Sequence, residues 1–463
     1  MARRGSIELT PTVVSSDPAE QRAEGKAARE HAPRSSHAAW APPPDRPDPI
    51  DMLRRDDEGR LPELLPIRYA RMLRSPFTFY RGAASIMASD LQSTPRSGIK
   101  TQICGDAHLM NFGAYASPER RFVFDVNDFD ETTPGGAWEW DVKRLAASVA
   151  VAARSLGMRP RTNANAVRAC VRSYREHMNL YAGMHVLDLW YSRIDEAVLA
   201  EAVRIAQARD AAAALAEPSH TCEHLYPKLV DESGGAPHIA EKPPLVFHPV
   251  DDPGFVARVE AAFGHYHRSL TTDRRQLVSR YHFVDAAYKV VGVGSVGTRC
   301  SLVLMMAAPG DVLFLQGKEA RASVYERYVG KCGFDDHGER VVAGQRLMQA
   351  ATDLFLGWAR SDDGRDYYFR QLRDLKTGAD VVHMTDQDLE RYAVICGWTL
   401  ARAHAKACGA PAKIAGYLGR TGAFDAALVE FANAYADQNE RDHAELVAAV
   451  RDGRVVANAE VST

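Results

Sequence analysis

Seven cysteines (104, 170, 222, 300, 332, 396 and 408) are scattered through 463 residues, and none forms a C-x-x-C pair. That absence predicts neither a disulfide framework nor a structural zinc site, and makes a reducing cytoplasm the expected setting. Long apolar runs are missing too: no stretch approaches the ~20 residues a membrane span needs. The basic start, MARRGSIELTPTVVSS, is followed by no continuous apolar core, which predicts no secretion signal. Charge of one sign is not in excess. Lys and Arg number 57 against 60 Asp and Glu, and without a basic surplus neither nucleic acid nor a membrane is an expected partner. What is present is ordinary globular composition, 46% hydrophobic and 25% charged, enough for a sizeable core.

Residues 1–60 mix charge, Ser and Pro, including APPPDRPDP at 41–49, and read as a mobile arm. Helical spacing begins near LPELLPIRYARML at 61–73. A short strand runs into a polar loop at 98–113, and a β-rich stretch at 120–136 ends in acids and Pro-Gly-Gly. The period then changes. DVKRLAASVAVAARSLG (141–157) puts Val142, Leu145, Val149, Ala153 and Leu156 on one stripe, with Asp141 as the expected N-cap. Helices continue to about 217, and 218–255 reads as a long loop. Residues 287–306 and 311–320 form an expected antiparallel hairpin across Ala-Ala-Pro-Gly. A helix at 338–357, a strand at 366–373, an amphipathic helix at 388–409 and a helical tail at 424–451 complete the pattern.

Three segments could carry chemistry. In Gly105-Asp106-Ala-His108-Leu-Met-Asn111 the acid and amide have the D-x-x-x-x-N spacing of a kinase catalytic loop. A carboxylate there takes or orients the proton of an attacking hydroxyl, while an amide oxygen ligates Mg2+. Asp125-Val-Asn127-Asp128-Phe129-Asp130-Glu131 is dense in acids that repel one another unless a cation sits among them. Asp128-Phe129-Asp130 fits the D-F-G position with Asp for Gly, and Asp125 is the alternative metal ligand. Gly292-Val-Gly294-Ser-Val-Gly297 is followed by a strand-like run, which suits the turn of a kinase Gly-rich hairpin better than a dinucleotide fold. The next strand supplies Lys318 as phosphate clamp, although Arg299 and Gln316-Gly317 depart from the usual pattern. Glu339, on the helix that follows, is the expected partner of Lys318. Arg81 in FTFYRG is expected to pair structurally with an acid rather than reach a phosphate. His108 is expected to bond within its loop, His404 to pack within its helix, and Trp138 and Trp140 to pack beneath the catalytic loop.

Asp106, Asn111, Asp128 and Asp141 arrive in the order found in phosphotransferases of the aminoglycoside and choline kinase type, which the four residues together resemble. In those enzymes the last Asp buttresses the catalytic loop. The Gly-rich turn and lysine should precede these parts, yet here they follow. Leu400-Ala-Arg-Ala-His404-Ala resembles the end of the helix that directly precedes the catalytic loop in such kinases, and circular permutation accounts for the order. Its simplest test is distance: Lys318 and Asp128 must lie well within about 15 Å of each other to contact one nucleotide's phosphates.

Residues 75–150 (SPFTFYRG, GDAHLMNFG, FDVNDFDET, WEWDVKRLAASV), with 287–320, DYYFRQLRDLK and GWTLARAHA, resemble the bacterial family called domain of unknown function 2252. That resemblance implies no activity, so the functional expectation rests on the residues. It is an α+β, protein-kinase-like bilobal fold in permuted order. An N-terminal arm spans 1–60, a mainly helical large lobe 61–285, a β-rich small lobe 286–385, and helices returning to the large lobe 386–463. The expected reaction moves a phosphoryl group from Mg2+-ATP to a hydroxyl on a small molecule or protein. Asp106 is the base, Asn111 and Asp128 the metal ligands, Lys318 the clamp, and Gly292, Gly294 and Gly297 the cradle. Transfer of AMP to protein, or nucleotide binding without turnover, are the alternatives.

Overall fold

The structure is a computed structural model that describes residues 17–195, 222–372 and 377–458. The first 16 residues of the expected arm and the expected helical chain from 196 to 217 lie outside that set. Within it the chain is a mixed α+β protein: a helical body and one six-stranded sheet face each other across a cleft.

The rest of the arm is folded, which corrects the expectation for residues 17–60. Helix α1 (Pro18–Ala27) packs against a late helix, Pro411–Leu418, and α2 (Pro49–Asp57) buries Ile50, Met52 and Leu53. Polar anchors replace the apolar periodicity that would have revealed this. Arg29 donates to the Tyr417 carbonyl (2.9 Å), Arg34 to the Leu418 carbonyl (2.7 Å), and Arg46 to both Asp90 and Asp442.

Helices α3 (Leu65–Leu73), α4 (Pro76–Gly82) and α5 (Ala84–Asp90) lead into four short strands: β1 (Lys100–Ile103), β2 (Phe112–Ala116), β3 (Phe122–Val126) and β4 (Thr133–Ala137). β1 pairs with β4 and β2 with β3, each pair antiparallel and in its own small sheet. Helix α6 (Trp138–Ser155) begins three residues earlier than expected, with Ala137 at its N-cap. It is the axis of the helical body: every residue from Trp138 to Ala153 is buried. A helix buried all round needs no single stripe, and its charged residues Glu139, Asp141, Lys143 and Arg144 must find partners inside. α7 (Pro160–Tyr181) packs against it, and α8 (Val186–Tyr191) follows.

The region at 222–285, expected partly as loop and partly as helical lobe, holds three helices, a separate two-stranded sheet and the first strands of the six-stranded sheet. After α9 (Cys222–Leu229) come a two-residue hairpin, β5 (Val230–Asp231) and β6 (His238–Ile239), and the edge strand β7 (Val246–Phe247). α10 (Phe255–Ser269) lays Phe255 and Tyr266 on the sheet, where Tyr266 meets Phe369 at 4.9 Å between ring centres. α11 (Thr272–Val278) precedes β8 (His282–Lys289), β9 (Cys300–Ala308) and β10 (Asp311–Ala320). β11 (Gly357–Arg360) and β12 (Asp366–Gln371) complete an antiparallel order of β11-β12-β10-β9-β8-β7.

Between β10 and β11 lie a single turn, α12 (Glu326–Val329), and α13 (His337–Met348). α13 stops well short of the expected 357, because Gln349 is extended and the Asp125 carboxylate takes the Ala350 N–H (2.7 Å). The last three helices, α14 (Asp386–Ala407), α15 (Pro411–Leu418) and α16 (Ala423–Arg451), return to the helical body against α6 and α7. Among the described residues no helix is long and apolar enough to cross a membrane.

Candidate active site

The loop at 104–111 leaves β1 through a turn that only glycine fits. Gly105 has φ +82°, and a Cβ there would fall 2.3 Å from the Glu131 carbonyl oxygen. The entry is held from below by Asp141, whose carboxylate accepts the N–H groups of Cys104 (2.8 Å) and Gly105 (2.9 Å). His404 Nε2 donates to the same carboxylate (3.0 Å), and the Tyr174 hydroxyl meets its Nδ1 at 2.8 Å. Asp141 is thus a buttress across the chain rather than an N-cap, and His404 does more than pack.

One helical turn on, Arg144 donates from Nε to Asp106 Oδ1 (2.6 Å) and from a terminal nitrogen to the Tyr80 carbonyl (3.1 Å). This fixes Asp106 at the cleft wall with its side chain 19% exposed. Asn111 Nδ2 donates to the Asp106 carbonyl (2.8 Å), and the Asn127 N–H donates to the Asn111 carbonyl (2.8 Å). The two loops are therefore stitched together by main-chain and amide bonds.

Across this seam, β10 brings in Lys318. Its ammonium lies 2.5 Å from Asp130 and 3.6 Å from Asp128, inside the distance that one shared nucleotide demands. The side chain is only 3% exposed; burial opposes its charge, but Asp128 and Asp130 outweigh that and hold the ammonium well above the usual lysine range. Tyr368 on β12, directly opposite Lys318 in register, donates its hydroxyl to the other Asp130 oxygen (2.7 Å). Arg370 donates to Gln316 (3.0 Å) and to the Asn127 carbonyl (3.1 Å), placing a second cation beside the acids.

The Gly-rich segment is the connection between β8 and β9 and forms a wall of the same cleft. Gly297 takes φ +85°, a left-handed turn that glycine favours. Arg60 donates to the carbonyls of Gly294 (3.0 Å) and Val296 (2.6 Å), and Leu61 N–H to that of Gly297 (2.7 Å). Ser295 reaches Asp130 at 3.4 Å. The cleft measures about 1760 Å³, and Asp106, Asn111, Asp128, Lys318, Gly292 and Gly294 all line it.

Three expected site residues do not line it: Gly297, in the same turn but set against Arg60 and Leu61, and two that lie elsewhere. Asp125 points into the helical body, where both of its oxygens accept from Arg402 (2.8 and 2.9 Å) and neither residue is exposed. Glu339 sits at the start of α13 beside Asp335 and Asp336, and Lys318 pairs with Asp130 in its place. The helix residue that does serve the acidic turn is the next one: Arg340, fully buried, donates to the carbonyls of Asp130 (2.9 Å) and Thr132. Residue spacing gave no sign of Arg340, Arg144 or Tyr368, whereas Asp130 stood in plain view within an acid-dense segment.

Burial also shapes the titration of the cleft. It pushes the Glu131 carboxyl up to about 7, against the N–H bond from Val324 (2.7 Å) that favours its charged form. His108 is buried 3.6 Å from Asp106, and desolvation outweighs that acid and lowers its pKa to about 4. An unfolded His108 takes a proton below about 6.5 that the folded protein refuses until about 4. Stability contributed by the neutral ring is therefore complete above 6.5 and lost as pH falls through that window. His108→Gln is expected to flatten the loss of melting temperature between pH 6.5 and 4; an unchanged slope in thermal scans would place the acid sensitivity elsewhere.

A family model described as "Uncharacterized protein conserved in bacteria (DUF2252)" matches residues 60–449. Comparison with curated proteins and with solved structures yields no match.

Proposed function

The chain belongs to this bacterial family, and from its site geometry we propose that it is a kinase-like phosphotransferase whose parts are circularly permuted along the sequence. The observation that carries the reading is the meeting of Lys318 with Asp128 at 3.6 Å, in a cleft shared with Asp106, Asn111 and a Gly-rich hairpin turn. Segments separated by nearly two hundred residues meet in one cleft, which supports the reading because phosphoryl transfer needs these groups around one set of phosphates. The contact from His404 to Asp141 supports the permuted order: the helix end that should run into the catalytic loop stands beside its entry.

In this reading the acceptor oxygen forms a bond to the terminal phosphorus of ATP while the bond to the ADP oxygen breaks, and the hydroxyl proton passes to Asp106. Arg144 and the Asn111 amide hold Asp106 in place for that contact. Lys318 is held rigid by Asp128, Asp130 and Tyr368 and clamps the phosphates. Asn111 Oδ1, left open because Nδ2 faces the Asp106 carbonyl, and the Asp128 carboxylate form an all-oxygen donor set of the kind Mg2+ prefers, and they would hold it. The ion, when bound, neutralises phosphate charge.

The test is a thermal-shift series with ATP, ADP and GTP, each with and without magnesium, followed by mass spectrometry of turnover products. A magnesium-dependent rise in melting temperature and products heavier by one phosphate are expected. No response to any nucleotide would overturn the reading, and products carrying AMP would replace it with adenylyl transfer. A second reading, nucleotide binding without turnover, is favoured by one observation: Asp130 stands where the kinase pattern has glycine and already engages Lys318.

A further inference from the structure

The helical body contains several buried arginines, and each has a defined partner. Arg144 holds Asp106, Arg402 holds Asp125, Arg68 holds Asp57 and Arg340 holds the carbonyls of Asp130 and Thr132. Arg81, in the last turn of α4, breaks the pattern. Its Nε is shut off from solvent and donates to nothing, and among the described residues no hydrogen bond or ion pair engages its guanidinium. The acid pairing expected from sequence is not made. Asp106, which attracts Arg81 electrostatically, is already bound by Arg144, and Arg71 repels it.

Position gives the unpaired cation a meaning. Arg81 lines the cleft together with Asp106 and the Gly-rich turn. The turn rests against it: a Cβ on Gly294 would lie 3.5 Å from the Arg81 carbonyl oxygen. The half-buried side chain keeps Nε from water with no acceptor, which is costly to the fold, and leaves the terminal nitrogens open to the cleft. Its planar fork is suited to taking two oxygens of a phosphate at once.

We propose that Arg81 is an anion receptor, and that its ligand is a phosphate group bound between the Gly-rich turn and Asp106. Its place in catalysis rests on the phosphotransferase reading, where the phosphate is either the phosphoryl group in transit or one carried by the acceptor. The anion site itself is independent of that reading.

The experiment uses the full chain and two probes, inorganic phosphate and Mg2+-ATP, with wild type, Arg81→Met and Arg81→Lys. Removing an uncompensated charge is expected to leave the melting temperature of the unliganded protein unchanged or raised, where loss of a structural arginine would lower it. Phosphate affinity should fall at least about tenfold in Arg81→Met, as for loss of a charge-assisted hydrogen bond, and partly recover in Arg81→Lys. Weakened Mg2+-ATP binding alongside would assign the site to the phosphoryl group in transit, and preserved Mg2+-ATP binding to a phosphate on the acceptor. No phosphate response in wild type, an affinity indifferent to Arg81→Met, or a lowered melting temperature with phosphate binding kept, would overturn the proposal. Failure of the phosphotransferase reading would show separately, as no response to Mg2+-ATP while the phosphate arm still depends on Arg81.

Discussion

Asp106→Asn is expected to lower kcat by roughly 10²- to 10⁴-fold, the range for removing a positioned general base. Nucleotide binding should survive, because in the proposed reading Lys318, Asn111 and Asp128 supply it, and none of them bonds to the Asp106 carboxylate. The substitution is well suited to separating chemistry from folding. Asn keeps the shape of Asp and an oxygen that can accept from Arg144 Nε, so the buried guanidinium retains a partner there as well as the Tyr80 carbonyl. Asn111 bonds to the main-chain carbonyl of residue 106, which the substitution does not touch. The measurements are kcat and nucleotide Kd on the same preparation, with melting temperature as the control for folding. A drop in kcat below about tenfold would mean that proton transfer does not pass through Asp106.

Much of this site was legible because its parts are short and contiguous. G-D-A-H-L-M-N and D-V-N-D-F-D each specify a loop whose chemistry is written in a few residues. The β9–β10 hairpin follows from alternation and a Pro-Gly turn, and β10 spans the expected 311–320. The proposal of a permuted order rests on the same property, since motif order is visible in sequence when nothing is known of distance.

The remainder depended on contacts between residues remote in sequence. Asp141 looks like an N-cap locally, and only the resemblance to aminoglycoside- and choline-kinase-type enzymes pointed to the N–H groups of residues 104 and 105 that its carboxylate accepts. Helix spacing suggests Glu339 as the partner of Lys318, but the acid that wins, Asp130, comes from the far side of the cleft. The N-terminal segment looked mobile because its anchors are arginines reaching carbonyls and carboxylates nearly four hundred residues away. Such anchors leave no apolar period to read.

Arg402→Met is expected to cost about 3–5 kcal/mol, because it strands the Asp125 carboxylate in a fully buried position. Only the N–H groups of Val126 and Ala350 would then remain to it. The pair joins β3 to α14, and Arg402 also donates to the Met348 carbonyl at the end of α13 (2.5 Å). Breaking it loosens three elements that converge behind the acidic turn. The double variant Asp125→Asn with Arg402→Met removes both charges, and should be less destabilised than the two single changes added together, by roughly 1–3 kcal/mol in a denaturant-based cycle. Strict additivity would mean that the two charges are not coupled. The same variants decide between the two roles open to Asp125 on sequence. A metal ligand replaced by Asn would lose the magnesium response while keeping its melting temperature; a structural counter-ion would lose melting temperature while the folded fraction keeps the magnesium response. With both oxygens held by Arg402 and no exposure, Asp125 is expected to follow the second course, which leaves Asp128 and Asn111 to face the cleft.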